Sequence, residues 1–131
     1  MGVMKRIILS IATAALALAS TTPAFAQALE GKWANSKRSV IVQVAKCGEA
    51  YCGTVSWATP KNKAKGAEPG TRVLTDLRPV SDGVYKGKAY EPKRNIRGSA
   101  TVHQVGPNTM VVKGCAVFGV FCSEQRWTRV S

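Results

Sequence analysis

The sequence predicts an all-β fold: a small antiparallel barrel or sandwich of seven to eight short strands, held by two local disulfides. Three observations point to it. Apolar residues alternate with polar ones at period 2, and β-branched and aromatic residues dominate those runs. Clusters of Gly, Pro, Asn and Asp interrupt the runs at regular spacing, as barrels and sandwiches require. Four cysteines fall in two pairs, each at the foot of a candidate hairpin. No stretch sustains helical periodicity, and no internal repeat stands out.

Residues 1–26 read as a secretory signal peptide rather than as part of the fold. Lys5 and Arg6 precede an apolar run, residues 7–19, and Ala24-Phe25-Ala26 supplies the small-x-small cleavage pattern. The run is too short to span a bilayer. The remaining 105 residues, 27–131, are expected to form one domain with no transmembrane segment. The expected destination is the periplasm or the extracellular space. There thiols pair by default, and local pairing, Cys47–Cys52 and Cys115–Cys122, is favoured among the three connectivities. Each short loop so closed would stabilise the domain by about 2–3 kcal/mol on a chain-entropy estimate.

Taken in order, Gly31-Lys32-Trp33-Ala34 opens the domain as a first strand. In residues 39–46, Val40, Val42 and Val44 share one face, and Ile41, Gln43 and Ala45 the other. Residues 47–52 turn the chain into a partner strand, 51–58, on which alternation puts Tyr51, Val55 and Trp57 together. Residues 59–70 hold Pro60, Gly66, Pro69 and Gly70 between Lys61, Lys63 and Lys65, and read as a solvated loop, long enough to be mobile or functional. Residues 71–80 carry Val73, Leu74 and Leu77, which fit a short strand and a helical turn equally. A strand over 84–90 is broken by Glu91-Pro92-Lys93-Arg94-Asn95. Strands over 97–105 and 109–114 are joined through Gly106-Pro107-Asn108, and 123–130 closes the chain.

Gly31-Lys32-Trp33 at one end and Arg126-Trp127-Thr128-Arg129 at the other resemble the lipocalin-like (calycin) pattern. The resemblance implies a barrel in which Trp33 plugs one end, beneath a last-strand arginine, Arg129 or Arg126. A guanidinium can stack on an indole face while its N–H groups cap carbonyls. In this reading Gly31, Trp33, Trp127 and Arg129 are structural. Lys46-Cys47-Gly48, Tyr51-Cys52-Gly53, Tyr90-Glu91-Pro92, Lys113-Gly114-Cys115 and residues 125–130 further resemble a bacterial family of exported proteins, domain of unknown function 2147. That resemblance covers nearly all of the chain after residue 28. It implies the barrel and no particular activity.

The chemistry legible in the residues favours binding over catalysis. His103, the only histidine, sits in mid-strand. The carboxylates lie mostly in turns, and no two are spaced as an acid–base pair. No nucleophile elbow, phosphate-cradling loop or zincin motif occurs. The cysteine spacings are not those of a zinc knuckle. No metal and no cofactor is expected, and an enzyme ranks third among the readings.

After residue 26 the chain carries 17 basic and 7 acidic side chains, a field suited to anionic partners. Lys61, Lys63 and Lys65 form one patch; Lys86, Lys88, Lys93, Arg94 and Arg97 form another. Trp57, beside the long basic loop, and Tyr85 and Tyr90, beside the second patch, are the aromatic candidates for ligand contact. The leading expectation is a monomeric envelope protein holding a small apolar or amphipathic ligand, with an anionic head, at a barrel mouth. The alternative is a body without a cavity, docking its basic face on an anionic envelope surface or an acidic protein. Export argues against nucleic acid as a partner.

Overall fold

The computed structural model describes residues 29–131. The expected signal peptide and the boundary at residue 26 lie outside the described residues. Eight antiparallel strands follow one another around a closed barrel: β1 (Gly31–Ala34), β2 (Val40–Cys47), β3 (Ala50–Ala58), β4 (Arg72–Ser81), β5 (Val84–Glu91), β6 (Ile96–Gly106), β7 (Thr109–Ala116) and β8 (Phe121–Arg129). Each pairs with its sequence neighbours, and β1 closes on β8 through Trp33↔Arg129 and Ala34↔Thr128. The barrel alternative therefore holds, and the sandwich does not. Both disulfides take the local pairing, Cys47 with Cys52 and Cys115 with Cys122.

The inner face follows the expected alternation over most of the wall. Val42 and Val44 on β2, Ala100 and Val102 on β6, and Met110 and Val112 on β7 are buried in one core with Trp33 and Trp127. Of the register breaks in the wall, two correct the sequence reading. On β3, Ile41 faces Trp57 while Val42 faces Val55, so Ser56 is the extra residue. The slip turns Trp57 outward, 45% exposed, away from the Tyr51–Val55 face, and brings Ala58 into the interior instead. On β4, Thr75 pairs with Lys88 and Arg78 with Lys86, and Asp76 takes the left-handed conformation at φ 54°. Leu74 and Leu77, three apart, therefore share the inner face. That spacing is why 71–80 fits a helical turn in sequence while being a strand in the fold.

A second correction concerns residues 59–70. Thr59 caps a short helix, α1 (Pro60–Ala64), its hydroxyl accepting from the Asn62 amide at 3.3 Å, with Pro60 at the first helical position. Ala67 folds back against Val55 and Ala58, so the segment is anchored to the wall rather than fully solvated.

The two barrel ends differ in construction. One is closed. There Trp33 is fully buried and donates its indole N–H to the Leu29 carbonyl at 2.9 Å. The Arg129 guanidinium stacks on that indole, 4.3 Å from the ring centroid. Its Nε donates to the Pro107 carbonyl at 3.0 Å, and its Nη1 donates to the Glu30 carbonyl. Arg129, not Arg126, is thus the arginine that the calycin resemblance implies. Gly31 sits at φ 137°, where a Cβ would strike the guanidinium and the Ser131 carbonyl. The same end is joined by two-residue turns at 48–49, 82–83 and 107–108. The other end carries all the longer connections, 35–39, 59–71, 92–95 and 117–120. It is the mouth.

Candidate functional site: the barrel mouth

The mouth opens into a cavity of about 250 Å³. Its walls are apolar, with Val42, Val55, Leu74, Val112 and Trp127 reaching it from five strands. These are the inward positions of their strands, and the cavity lies where the closed end's large side chains stop. β1 is too short to cover β8 beyond Thr128, so the wall opens beside Gln125 and Ser123. Gln125 accepts from the Trp127 indole N–H at 2.9 Å, which fixes that ring against the cavity.

The rim is polar and mainly cationic. Lys65, just after α1, and Lys93, in the β5–β6 turn, both line the cavity. The ammonium of Lys65 is held below its usual pKa, first by Lys93, then by Lys61, then by desolvation and Lys37. Three separate connections therefore bring like charges to one place, a cost a bound anion would relieve. The rim also holds one acid, Glu91, whose carboxylate lies 3.7 Å from Arg94. Asn35 and Asn62 complete it, and both are fixed locally. Asn35 accepts from the Ser39 amide at 2.8 Å; Asn62 donates its side-chain N–H to Thr59 at 2.9 Å.

Of the residues singled out in the sequence, the structure brings Lys65, Lys93 and Tyr90 to the cavity, with Lys61 beside them. The others go elsewhere. Lys63 is half-buried on α1 and does not line the cavity. Trp57 is on the outer wall, as the Ser56 bulge dictates. Tyr85 is a core residue, packed edge-to-face on Tyr51 with centroids 5.7 Å apart. Burial, and then Tyr51, raise its phenol above the ordinary pKa of 10.0. Arg97 stacks on Tyr90, 4.3 Å from the centroid, and with Arg72 and Lys88 flanks a shallow cleft outside the barrel. Arg94 lines a separate surface groove.

Several rim residues went unread in the sequence. Lys37, Asn35 and Gln125 belong to segments remote from the basic loop, and only barrel closure assembles them. Asn62 had a signal, since Thr59-Pro60 is a helix start and the cap fixes the side chain three residues on. Among the described residues no group of three or more His, Cys, Asp or Glu is placed to hold a metal ion. No helix among them is long and apolar enough to cross a membrane.

Compared with known proteins, the chain matches no curated protein and no solved structure. It matches one family over residues 31–129, from the first strand to the last: the uncharacterized proteins conserved in bacteria of domain DUF2147. An eight-stranded closed barrel, stapled twice, with an arginine-covered tryptophan at one end, is the form this chain has as a member of that family.

Proposed function

We propose that this is an exported, non-enzymatic binding protein of the bacterial envelope that holds a small amphipathic ligand in the mouth, apolar part inward and anionic head at the rim. The observation that supports it most is the cavity itself: an apolar interior of about 250 Å³ beneath Lys65 and Lys93. That volume is slightly below the range of roughly 300–1,000 Å³ usual for small-molecule sites. The occupant is accordingly small, or enters by one end with its head outside. Two disulfides fit export to an oxidising compartment. A binding role, rather than catalysis, is supported by His103 lying exposed on β6, and by Glu91 being paired with Arg94.

The test is calorimetric titration with single-chain alkyl sulfates, alkyl alcohols and alkyl ammonium ions of graded length. Anions should bind, with affinity rising with chain length up to the cavity's capacity and largely surviving 0.5 M salt. Lys65→Glu with Lys93→Glu should abolish the preference for anions. Equal affinity for the alcohol series would remove the rim from the account, and no binding by any series would remove the cavity.

A second reading rests on the outer wall, where Arg72, Lys88 and Arg97 surround Tyr90. It is a basic face that docks on an anionic surface without using the cavity. Binding by that face would collapse steeply with ionic strength, which separates the two.

A further inference from the structure

The β7–β8 connection is closed at its foot by the Cys115–Cys122 disulfide, where the two Cα atoms stand 4.1 Å apart. The loop it delimits reads Ala116-Val117-Phe118-Gly119-Val120-Phe121, without one charged or hydrogen-bonding side chain. Such a sequence would ordinarily be core. Here Val117, Phe118, Val120 and Phe121 are between 60% and 105% exposed. Val117 and Phe118 both adopt positive φ, at 53° and 54°, a conformation unfavourable for a β-branched or aromatic residue. The turn Val120 N–H to Val117 carbonyl, 3.1 Å, and the disulfide hold it there. The chain thus holds four apolar side chains out in solvent on a covalently closed tip.

The tip stands at the mouth end, and that end is strongly polarised. Its four connections carry seven Lys or Arg residues and a single acid, Glu68, and the rim adds Glu91, which is paired with Arg94. The two-residue turns of the closed end carry Glu49 and Asp82 and no base. The cations come from three connections arranged around the opening, and Arg94 shares a groove of about 370 Å³ with Ile96, Val120 and Phe121. A protruding apolar point within a broad cationic ring matches a broad anionic plane with an apolar layer beneath. That is the surface of an anionic lipid bilayer. An acidic protein would match the ring but offers no apolar depth for a protruding phenylalanine.

We propose that the disulfide-closed loop is a membrane-inserting tip, which seats the barrel mouth-down on an anionic lipid surface with Phe118 and Phe121 in the acyl boundary and the rim cations on the headgroups. This does not depend on the cavity being filled. It does give the mouth a source of single-chain amphiphiles, and so sharpens the reading above.

The experiment is sedimentation of the purified, fully oxidised protein with extruded vesicles, either pure phosphatidylcholine or phosphatidylcholine containing 30% phosphatidylglycerol. The protein should partition at least about tenfold more strongly into the anionic vesicles. Phe118→Ser with Phe121→Ser, distant from the core, should lower that partitioning about tenfold or more while leaving the thermal midpoint nearly unchanged. A Phe118→Trp variant should shift its emission to the blue on vesicle addition and be quenched by brominated acyl chains. Unaltered partitioning of the double variant, or a Phe118→Trp signal insensitive to brominated lipid, would overturn the proposal. So would a dimer in solution that the double variant dissolves, because the tip's occupant would then be a second copy of the chain. Failure of the alkyl titrations with this binding intact would sink only the cavity reading.

Discussion

At the closed end of the barrel, large side chains fill the interior, the connections are two residues long, and the Trp33 indole N–H and the Arg129 Nε and Nη1 are engaged by the chain's own carbonyls. At the mouth, large side chains stand at the edge or outside, the connections run to 13 residues, and like charges crowd one another. Burial and hydrogen bonding stabilise the first arrangement. The second gives up part of that stabilisation, in repelling lysines and in exposed phenylalanine, and what it presents is an open cavity under a cationic rim. On the proposed reading, the two ends segregate stability and recognition along one axis of this small barrel. Substitutions at the closed end should move stability; those at the mouth should move binding.

The largest expected effect is at the plug. Trp33→Ala removes the largest fully buried side chain and should cost about 3–5 kcal/mol in chemical denaturation. Trp57→Ala, the same chemical change on the outer wall, should cost less than about 1 kcal/mol. Comparable losses at the two would mean that the Ser56 bulge does not turn Trp57 outward. Next comes Arg129→Ala, which strips the cover from the indole and leaves the Glu30 and Pro107 carbonyls without their donor. A loss of about 2–3 kcal/mol is expected, and Arg129→Lys should recover little of it, because an ammonium lacks the planar fork.

Gln104 gives an effect of opposite sign. It is 3% exposed on the inner face of β6, and neither its amide nitrogen nor its amide oxygen has a hydrogen-bond partner among the described residues. Gln104→Met should keep the volume, remove the desolvated amide and raise stability by about 1–2 kcal/mol. A decrease would show that the amide is satisfied in solution.

A smaller effect is confined to alkaline pH. The Tyr85 phenol ionises less readily in the fold than in the unfolded chain, where its pKa is near 10.0. Its stabilising contribution is therefore complete below pH 10 and falls as pH rises toward the folded value. Denaturation midpoints followed from pH 8 to 11 should drop more for the parent than for Tyr85→Phe. At the rim, Lys65→Gln should leave the denaturation midpoint where it is, or raise it slightly by easing the repulsion from Lys93 and Lys61. A clear drop would bring the mouth into the structural half of the molecule and end the segregation.

Much of the barrel was legible before folding. Period-2 alternation on β2 and β6, the turn at Gly106-Pro107-Asn108, and cysteines at hairpin feet are local facts, and strands, turns and short disulfides are set by local chemistry. The plug of Trp33 beneath a last-strand arginine was legible only through the calycin resemblance, which left Arg129 and Arg126 open until the fold placed Arg129 on the indole. The site was less legible. Lys65 was read in one basic patch and Lys93 and Tyr90 in another, and the fold brings the three to one cavity, whereas Trp57 faces out and Tyr85 packs in the core.

What the sequence determined by itself was the class: an all-β, twice-stapled, strongly basic domain, with its strands and most of their inner faces. What only the tertiary structure decided was which residues meet. A bulge adds one residue without any compositional mark, and from that point every side chain changes face. Ser56 carries no such mark and Asp76 only the weak one of an acid inside a β-type run, and their placement reversed Trp57 and aligned Leu74 with Leu77. The up-and-down strand order puts alternate connections at the same end, and closure of β1 on β8 curls them into one rim, so the bases of three distant connections meet there and the other end is left without them. Charge in a sequence is a sum. Its direction belongs to the fold.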